Sequence, residues 1–406
     1  MKQLFTNLTA KPHKPFFFGG AAFAIVTMLV LLLHYQEVLY SRVALPTFHA
    51  YTLIFAVFSQ FFFGFLCTMF PRFLAVPEID RKRYLPPFLL LNGSALLFTT
   101  SVYWSSSLTV LASAGMFASY LMVSQLLWQL YKQSSVTERF DVNWILLALA
   151  AGAISHLLFL ISFIDPGQIT INRAAINSGF FLYLFMLIIT LSQKMILFFT
   201  EGKVVGYQAN RSRYFLHSLA GLLLLKVVFI IGAVNSYGII DGVLFVVTLR
   251  ELIRWRLPVR KVEAILWVLY LSLIWIPIGF LLFFIDSFSQ FILGPTGWVF
   301  EKAPLHAIGI GYFTTLLIGF GTRIILGHAG QKPAADRYAI TLFWLVQIVV
   351  LVRLAAGVML NSEMPLYREM ITTSALLWLG LFLLWSTRYI KLLLKCKRSN
   401  QTVIAS

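Results

Sequence analysis

Charged residues are scarce in this sequence. Asp, Glu, Lys and Arg make up 12% of its 406 residues, about half the share that is usual in a soluble globular domain. Acidic residues are the scarcer kind, with 15 Asp and Glu against 32 Lys and Arg. Apolar residues make up 59% of the chain and the mean hydropathy is +0.84. This composition excludes a soluble globular protein and predicts an integral membrane protein.

Long polar segments and cysteine pairs are also lacking. The polar interruptions between the apolar runs are short, which leaves no room for a nucleotide-binding domain and excludes pumping driven by ATP. The net charge of +17 does not indicate nucleic acid, because an excess of Lys and Arg is typical of the cytoplasmic loops of helical membrane proteins. The two cysteines, Cys67 and Cys396, are both predicted on the cytoplasmic side, so no structural disulfide is expected.

Apolar runs of about 20 residues predict an all-α bundle of twelve transmembrane helices in one domain, residues 1–406, with a basic cytoplasmic tail at 391–406. The predicted spans lie near residues 16–34, 48–70, 86–104, 108–131, 144–164, 175–199, 214–234, 237–249, 264–285, 303–327, 338–360 and 370–390. The eighth span is short and contains Asp241. Whether this run counts as a membrane span therefore depends on the distribution of Lys and Arg between the loops.

Lys and Arg are distributed unevenly between alternate loops. With the N-terminus inside, the inner segments hold 24 of the 32 basic residues and the outer loops hold four, namely Arg42, Arg173, Lys302 and Arg368. The positive-inside tendency therefore predicts that both termini are cytoplasmic. The same ratio favours an even number of spans, and so includes the eighth.

Histidine is the main candidate metal ligand, because carboxylates are almost absent from the predicted spans. The topology sorts the seven histidines by depth. His34, His49 and His306 fall at outer span ends, His13, His217 and His328 at inner ends, and His156 within the fifth span.

Two of these histidines are expected at one depth. His306 and His328 are 22 residues apart in one span, about 33 Å along a helix, so they belong to different sites. His49 and His306 each begin a span from the outer side, and they can face a common cofactor. Interfacial histidines are also often simply solvated, and the residues alone leave both interpretations open.

The tenth span carries a stripe of small residues with one cation. Gly311, Thr315, Gly319, Arg323 and Gly327 recur every four residues, which favours close approach of another helix or of a flat macrocycle. Ordinary helix packing explains the glycines equally well. Arg323 either extends to the inner interface or binds a carboxylate of a substrate or cofactor.

Three further cations lie within apolar runs. Lys194 is predicted at a depth similar to that of Arg323, and the sequence indicates no role for Lys226 or Arg353 beyond pairing inside the bundle.

Several segments resemble the NnrS family, the haem- and copper-containing membrane proteins associated with bacterial responses to nitric oxide. The strongest match covers residues 304–309 and 322–330, which read PLHAIG and TRIILGHAG. Weaker matches are residues 14–17 (KPFF), 48–51 (FHAY) and 194–200 (KMILFFT). The resemblance extends over most of the chain, with its specific motifs in spans 1, 2, 6 and 10.

The resemblance implies a multi-pass protein of the bacterial inner membrane that binds haem b and protects the cell from nitric oxide or metal-nitrosyl products. It makes His49 and His306 the expected haem ligands, with Lys302 or Arg42 near the propionates. Arg323 with His328 is the alternative cofactor site. If the protein is an enzyme, the resemblance implies an oxidoreductase-like reaction on nitric oxide or its metal adducts.

The chain departs from the family pattern at expected copper ligands. Tyr51, Thr52 and Leu53 stand where the family has His-Glu-Met, and Tyr270 stands where members tend to have histidine. Tyrosine is a poorer copper ligand than imidazole, so we expect copper to bind weakly or not at all. If copper does bind, the remaining imidazoles must supply the site, either His34 with His156 or His217 with His328.

Two rival functions fit the same span count. A secondary transporter without haem is the first, although few intramembrane acids are available for ion coupling. A structural partner that anchors a soluble redox protein is the second. Histidines on spans 2 and 10 also suggest the catalytic subunit of haem-copper oxidases, by analogy of fold only. The second histidine of those enzymes is missing, because residue 308 is Ile.

Overall fold

The computed structural model describes residues 2–233, 237–294, 300–359 and 364–394. Within these ranges the protein is helical and contains no strand. Nine of the described helices are long and apolar enough to cross a membrane. The protein is therefore an all-α protein of membrane-spanning character, as its composition predicts.

Thirteen helices are defined here in chain order. They are α1 (Lys2–Leu8), α2 (His13–Tyr35), α3 (Leu45–Phe73), α4 (Arg81–Ser101), α5 (Ser106–Gln133), α6 (Phe140–Ile164), α7 (Ile169–Glu201), α8 (Phe215–Ile231), α9 (Tyr237–Trp255), α10 (Ala264–Leu293), α11 (Ala303–His328), α12 (Arg337–Met359) and α13 (Met364–Leu394). A short 3₁₀ turn, Val259–Lys261, precedes α10.

Each of the twelve predicted spans falls on one helix from α2 to α13. The bounds differ most at α10, which continues to Leu293 where the sequence predicts an end near 285. The predicted ends at 234 and 360, and the tail beyond Leu394, lie outside the described residues. The nine helices of membrane-spanning character do not include α4, α8 or α9, so the count of twelve spans stays a prediction.

Three helices form the interior of the bundle. In α3 and α11, 83% of the most apolar stretch is buried, and in α7 78%, whereas the other six candidate spans bury 39–56%. The three buried helices stand four apart in chain order. The histidines at the starts of α3 and α11 are therefore attached to the most enclosed helices of the described structure.

The same three helices share an unusual construction. Each begins with a short α-helical piece, continues as a π-helix and ends as a long α-helix. The π segments are Thr52–Phe58, Ser178–Phe185 and Ala307–Thr314. π-Helical segments are rare and often occur at functional sites.

Aromatic side chains join the three π segments. The ring centres of Phe58 and Phe313 are 5.8 Å apart, those of Phe180 and Phe313 are 5.2 Å apart, and those of Phe55 and Tyr183 are 6.0 Å apart. Such ring pairs add to the free energy gained from burial alone. The centre of the bundle is consequently a packed aromatic core, which fixes the relative positions of α3, α7 and α11.

Hydroxyl groups support the wide turns in two of these segments. The hydroxyl of Ser59 donates to the carbonyl of Ile54, 2.7 Å away and five residues earlier. The hydroxyl of Thr314 makes the equivalent bond to Gly309 at 2.9 Å. Each hydroxyl thus bonds to the helix backbone at the point where its hydrogen-bonding pattern widens.

Candidate functional site

The structure brings His49 and His306 together at one end of the bundle. His49 lies in the first α-helical piece of α3, and His306 ends the first turn of α11. Their ring centres are 6.2 Å apart and their planes differ by 25°. Both side chains are half-buried. The start of α11 is held close to α12 by Gly357, where an added Cβ would lie 2.8 Å from the Cβ of Ala303.

Hydrogen bonding orients one of the two imidazoles. Nδ1 of His306 lies 2.7 Å from the carbonyl oxygen of Lys302, to which it donates. A ring that donates from Nδ1 presents an unprotonated Nε2, the form that binds a metal. Nδ1 of His49 is buried and has no hydrogen-bond partner among the described residues.

The separation of the rings suits a metal ion held between them. A metal–imidazole bond is about 2 Å long and a ring nitrogen lies about 1 Å from its ring centre, so two imidazoles that bind one ion from opposite sides have centres about 6 Å apart. The observed separation of 6.2 Å is close to this value, with the two ring planes stacked at 25°. By contrast, no group of three or more His, Cys, Asp or Glu residues capable of holding a metal is found in the described part of the chain.

A buried arginine lies beside this histidine pair. Arg353 on α12 is 8% exposed, and its partner Glu301 precedes His306 by five residues at the start of α11. Its Nη2 donates to Glu301 at 3.0 Å, while its Nη1 is buried without a partner among the described residues. The pairing that the sequence indicates for Arg353 is thus present, with Glu301. One guanidinium nitrogen remains available to a carboxylate.

The two cations expected near the propionates lie in different settings. Lys302 and Arg42 are both exposed. Lys302 adjoins the site, since its carbonyl accepts the bond from His306. Arg42 is fixed through its backbone, whose N–H donates to the carbonyl of Val102 at 2.9 Å.

The tyrosines at the departures from the family pattern have hydrogen-bond partners of their own. The hydroxyl of Tyr51 is hydrogen-bonded to Nε2 of His156 at 2.8 Å and donates to Ser113 at 2.9 Å. The hydroxyl of Tyr270 is hydrogen-bonded to Thr200 at 2.7 Å. Both tyrosines are buried. Each tyrosine hydroxyl is therefore hydrogen-bonded to a side chain of another helix.

The opposite end of the bundle holds a second histidine pair. The rings of His13 on α2 and His328 at the end of α11 have centres 4.2 Å apart. Both residues line a cavity of about 1260 Å³, as does Arg323. Glu78, also at the cavity, is hydrogen-bonded to Lys11, which holds the pKa of this carboxyl below its ordinary value.

The structure does not show the two imidazole pairings named for a copper site. His328 pairs with His13 instead of His217, and His217 packs against Phe140 and Trp144. The ring of His34 stacks on Tyr103. His156 is hydrogen-bonded to Tyr51. The sequence grouped these histidines by their predicted depth in the membrane. Depth does not indicate where around the bundle a residue lies.

The stripe of small residues on α11 serves helix packing along part of its length. A Cβ on Gly311 would lie 2.4 Å from Trp275, and one on Gly319 would lie 2.8 Å from Leu269, so α10 approaches closely at both positions. Gly327, in contrast, faces open space. Packing therefore explains the glycines in the middle of the helix, and the cavity begins at its end.

Nearly the whole chain, including both histidine pairs, matches the model of one protein family. The family model described as NnrS protein matches residues 7–397. The chain belongs to the NnrS family. No curated protein matches the chain. Both histidine pairs lie within the matched region, and the NnrS segments recognised in the sequence supply His49, His306, Arg323 and His328.

Arg353 and His13 are the two residues of these sites that the sequence did not associate with them. A lone arginine in an apolar run is a signal for a functional site. The sequence contains no indication of which helix it meets. His13 lies just before residues 14–17, one of the segments that resemble the NnrS pattern, and only the fold places it against His328.

Proposed function

We propose that this NnrS protein binds haem b between His49 and His306 and takes part in the cellular response to nitric oxide. The observation that supports the proposal most directly is the 6.2 Å separation of the two imidazole centres, contributed by two interior helices. Membership of the NnrS family supports the haem and the link to nitric oxide. The haem iron, when bound, supplies a centre that binds diatomic gases.

The residues around the pair have separate roles in this proposal. The carbonyl of Lys302 orients His306, so that Nε2 would be the atom that holds the metal. Arg353 offers its unpaired Nη1 to a propionate, and Glu301 holds the guanidinium in place through Nη2. A charge-assisted bond of this kind fixes the orientation of a carboxylate. The ammonium group of Lys302 is available to the second propionate.

Copper is not part of the proposed site. The hydroxyls of Tyr51 and Tyr270 are committed to protein partners, and phenol is a weaker ligand for copper than imidazole. We therefore keep the prediction that copper is weak or absent. Stoichiometric copper that survives a mild chelator wash would contradict it.

The test begins with the absorption spectrum of the purified protein. We expect a Soret band from the wild-type protein, whereas a secondary transporter without haem would be colourless. The variants His49→Ala and His306→Ala separate the possible ligations. Loss of haem from both supports paired ligation, and loss from one supports an open coordination position. His217→Ala, which removes an exposed histidine on α8, is the control and should retain the full spectrum.

The same variants test the link to nitric oxide. In a strain that lacks the native gene, wild-type protein and His217→Ala should restore growth after exposure to a nitric oxide donor. The haem-deficient variants should not. An unchanged haem spectrum in both His49→Ala and His306→Ala would refute the assignment and transfer the proposal to His328 with Arg323.

A further inference from the structure

The cavity at the His13 end is far larger than the histidine pair requires. Its volume is about 1260 Å³, above the roughly 300–1,000 Å³ that is typical of small-molecule sites. It lies between the turn that precedes α2, the ends of α3 and α11, and the end of α13. Its histidines are about 33 Å from the His49 site along α11, so it is a separate site.

The charge of the cavity wall is strongly positive. Lys11, Lys14, Arg72 and Arg323 line it, and Glu78 is the one acidic residue among its described lining residues. Lys11 is paired with Glu78. Arg72 and Arg323 have no carboxylate within 4 Å in the described ranges. An anion in this space would therefore be attracted by several charges at once.

Arg323 shows this imbalance most clearly. It is half-buried near the inner end of α11, and its guanidinium lies 4.0 Å from the ring centre of Phe199. The described residues provide it with no ion pair. An arginine held against an aromatic face keeps its N–H groups available for bidentate bonding to a phosphate or carboxylate.

A buried imidazole adds an unsatisfied polar atom. His13 is fully buried, and its Nε2 has no partner among the described residues. The adjacent His328 donates from Nδ1 to the carbonyl of Ile324 at 3.0 Å. Buried polar atoms are nearly always hydrogen-bonded, so Nε2 of His13 is an atom whose bonding a water or a bound group in the cavity would complete.

The rest of the wall is apolar. Phe65, Met69, Met195 and Phe320 line the cavity from the interior helices, and Leu392 lines it from α13. A small hydrophilic anion would leave this surface without a partner. A molecule with both a negative group and a hydrophobic body would meet both parts of the wall.

We propose that this cavity is a binding site for an amphipathic anion whose phosphate or carboxylate group meets Arg323 and the His13–His328 pair. Its hydrophobic body lies against the apolar wall. The charge distribution of the sequence predicts that the cavity faces the cytoplasm, where the negative group can come from an anionic lipid or from a soluble phosphate compound. The site does not depend on haem at His49.

Equilibrium dialysis tests the proposal on the full-length protein in a neutral maltoside detergent. The probe is radiolabelled dodecyl phosphate below its micellar concentration. We expect one saturable site per chain, weakened about tenfold or more by Arg323→Gln, because a charged hydrogen bond is lost. Arg337→Gln is the control, since it removes an exposed arginine outside the cavity wall and should leave binding unchanged.

A second variant fills the space without removing charge. A Cβ on Gly327 meets nothing within 4 Å, so Gly327→Leu is tolerated by the fold and reduces the cavity. Gly221→Leu is its control, because Gly221 also faces open space but lies on α8, away from the cavity. This pair keeps the test valid if Arg323→Gln does not fold, as judged by size-exclusion chromatography.

Competition identifies the source of the anion. Displacement by inorganic phosphate at similar concentration and constant ionic strength would show that the hydrophobic body contributes nothing, and would contradict an amphipathic ligand. Displacement by phosphatidylglycerol alone supports a lipid. The proposal is wrong if dodecyl phosphate binding is not saturable, or if Gly327→Leu and Gly221→Leu bind it equally well.

Discussion

A fully buried ion pair joins two helices of this protein, and it explains a cation that has no role in a site. Nζ of Lys226 lies 2.6 Å from Oδ1 of Asp241, and both side chains are fully buried. Lys226 also lies 3.9 Å from the ring centre of Phe283. The sequence indicated only pairing inside the bundle for Lys226, and the structure confirms it. The pair joins α8 to α9.

Removing one member of this pair should be far more damaging than removing both. Lys226→Met leaves the Asp241 carboxylate buried without its partner, and we expect a loss of roughly 3–5 kcal/mol in the free energy of unfolding. The double variant Lys226→Met/Asp241→Leu should be close to the wild type. Thermal unfolding in detergent measures both effects. Equal losses from the single and double variants would show that the charges are solvated.

The helices were predictable from the sequence, but the π segments were not. A run of apolar residues about 20 long indicates a span because the bilayer core is about 30 Å thick. The same run does not indicate a wider turn, because apolar side chains are compatible with an α-helix and with a π-helix. The hydroxyls of Ser59 and Thr314, each bonded to a carbonyl five residues earlier, were the available clue. Neither was distinguishable from ordinary polar residues in a span.

The π segment of α11 should set the direction in which His306 points. Deleting Gly309 should return residues 307–314 to an α-helix and rotate the preceding turn by about 100°, moving His306 away from His49. We expect the purified deletion variant to lose its Soret band. Gly309→Ala keeps the length of the segment, and its Cβ would meet Phe180 at an ordinary 3.7 Å.

Two results would decide this prediction. Retention of haem by Gly309→Ala and its loss on deletion would show that helix register is responsible. A deletion variant with normal haem content would contradict the role given to the π segment. Deleting the fully exposed Val205 in the loop after α7 controls for chain shortening.

At the scale of the whole molecule, the sequence predicted how deep a residue lies in the membrane better than it predicted which residues it contacts. The positions of His49 and His306 in the chain indicated equal depth, and their rings are 6.2 Å apart. The partner of His328 was not predictable, because several helices end at the same depth and only packing selects among them. Packing contacts of this kind join residues far apart in the chain, such as Phe55 and Tyr183, and the sequence does not indicate them.

Ion pairs at the two ends of the bundle join loops that the predicted topology places on the same side. Lys11 pairs with Glu78 at one end, and Arg368 pairs with Glu37 at the other. The first pair joins segments predicted inside, and the second joins segments predicted outside.

Reporter fusions test this sidedness directly. Because 24 of the 32 basic residues fall in the predicted inner segments, fusions after residues 105 and 236 should report an outside position. Fusions after residue 135 and at the C-terminus should report an inside position. An outside C-terminus would require an odd number of spans. The span predicted at residues 237–249 is the shortest of the twelve, and it contains the buried Asp241. The helix α9, on which it lies, would then be the first to reassign.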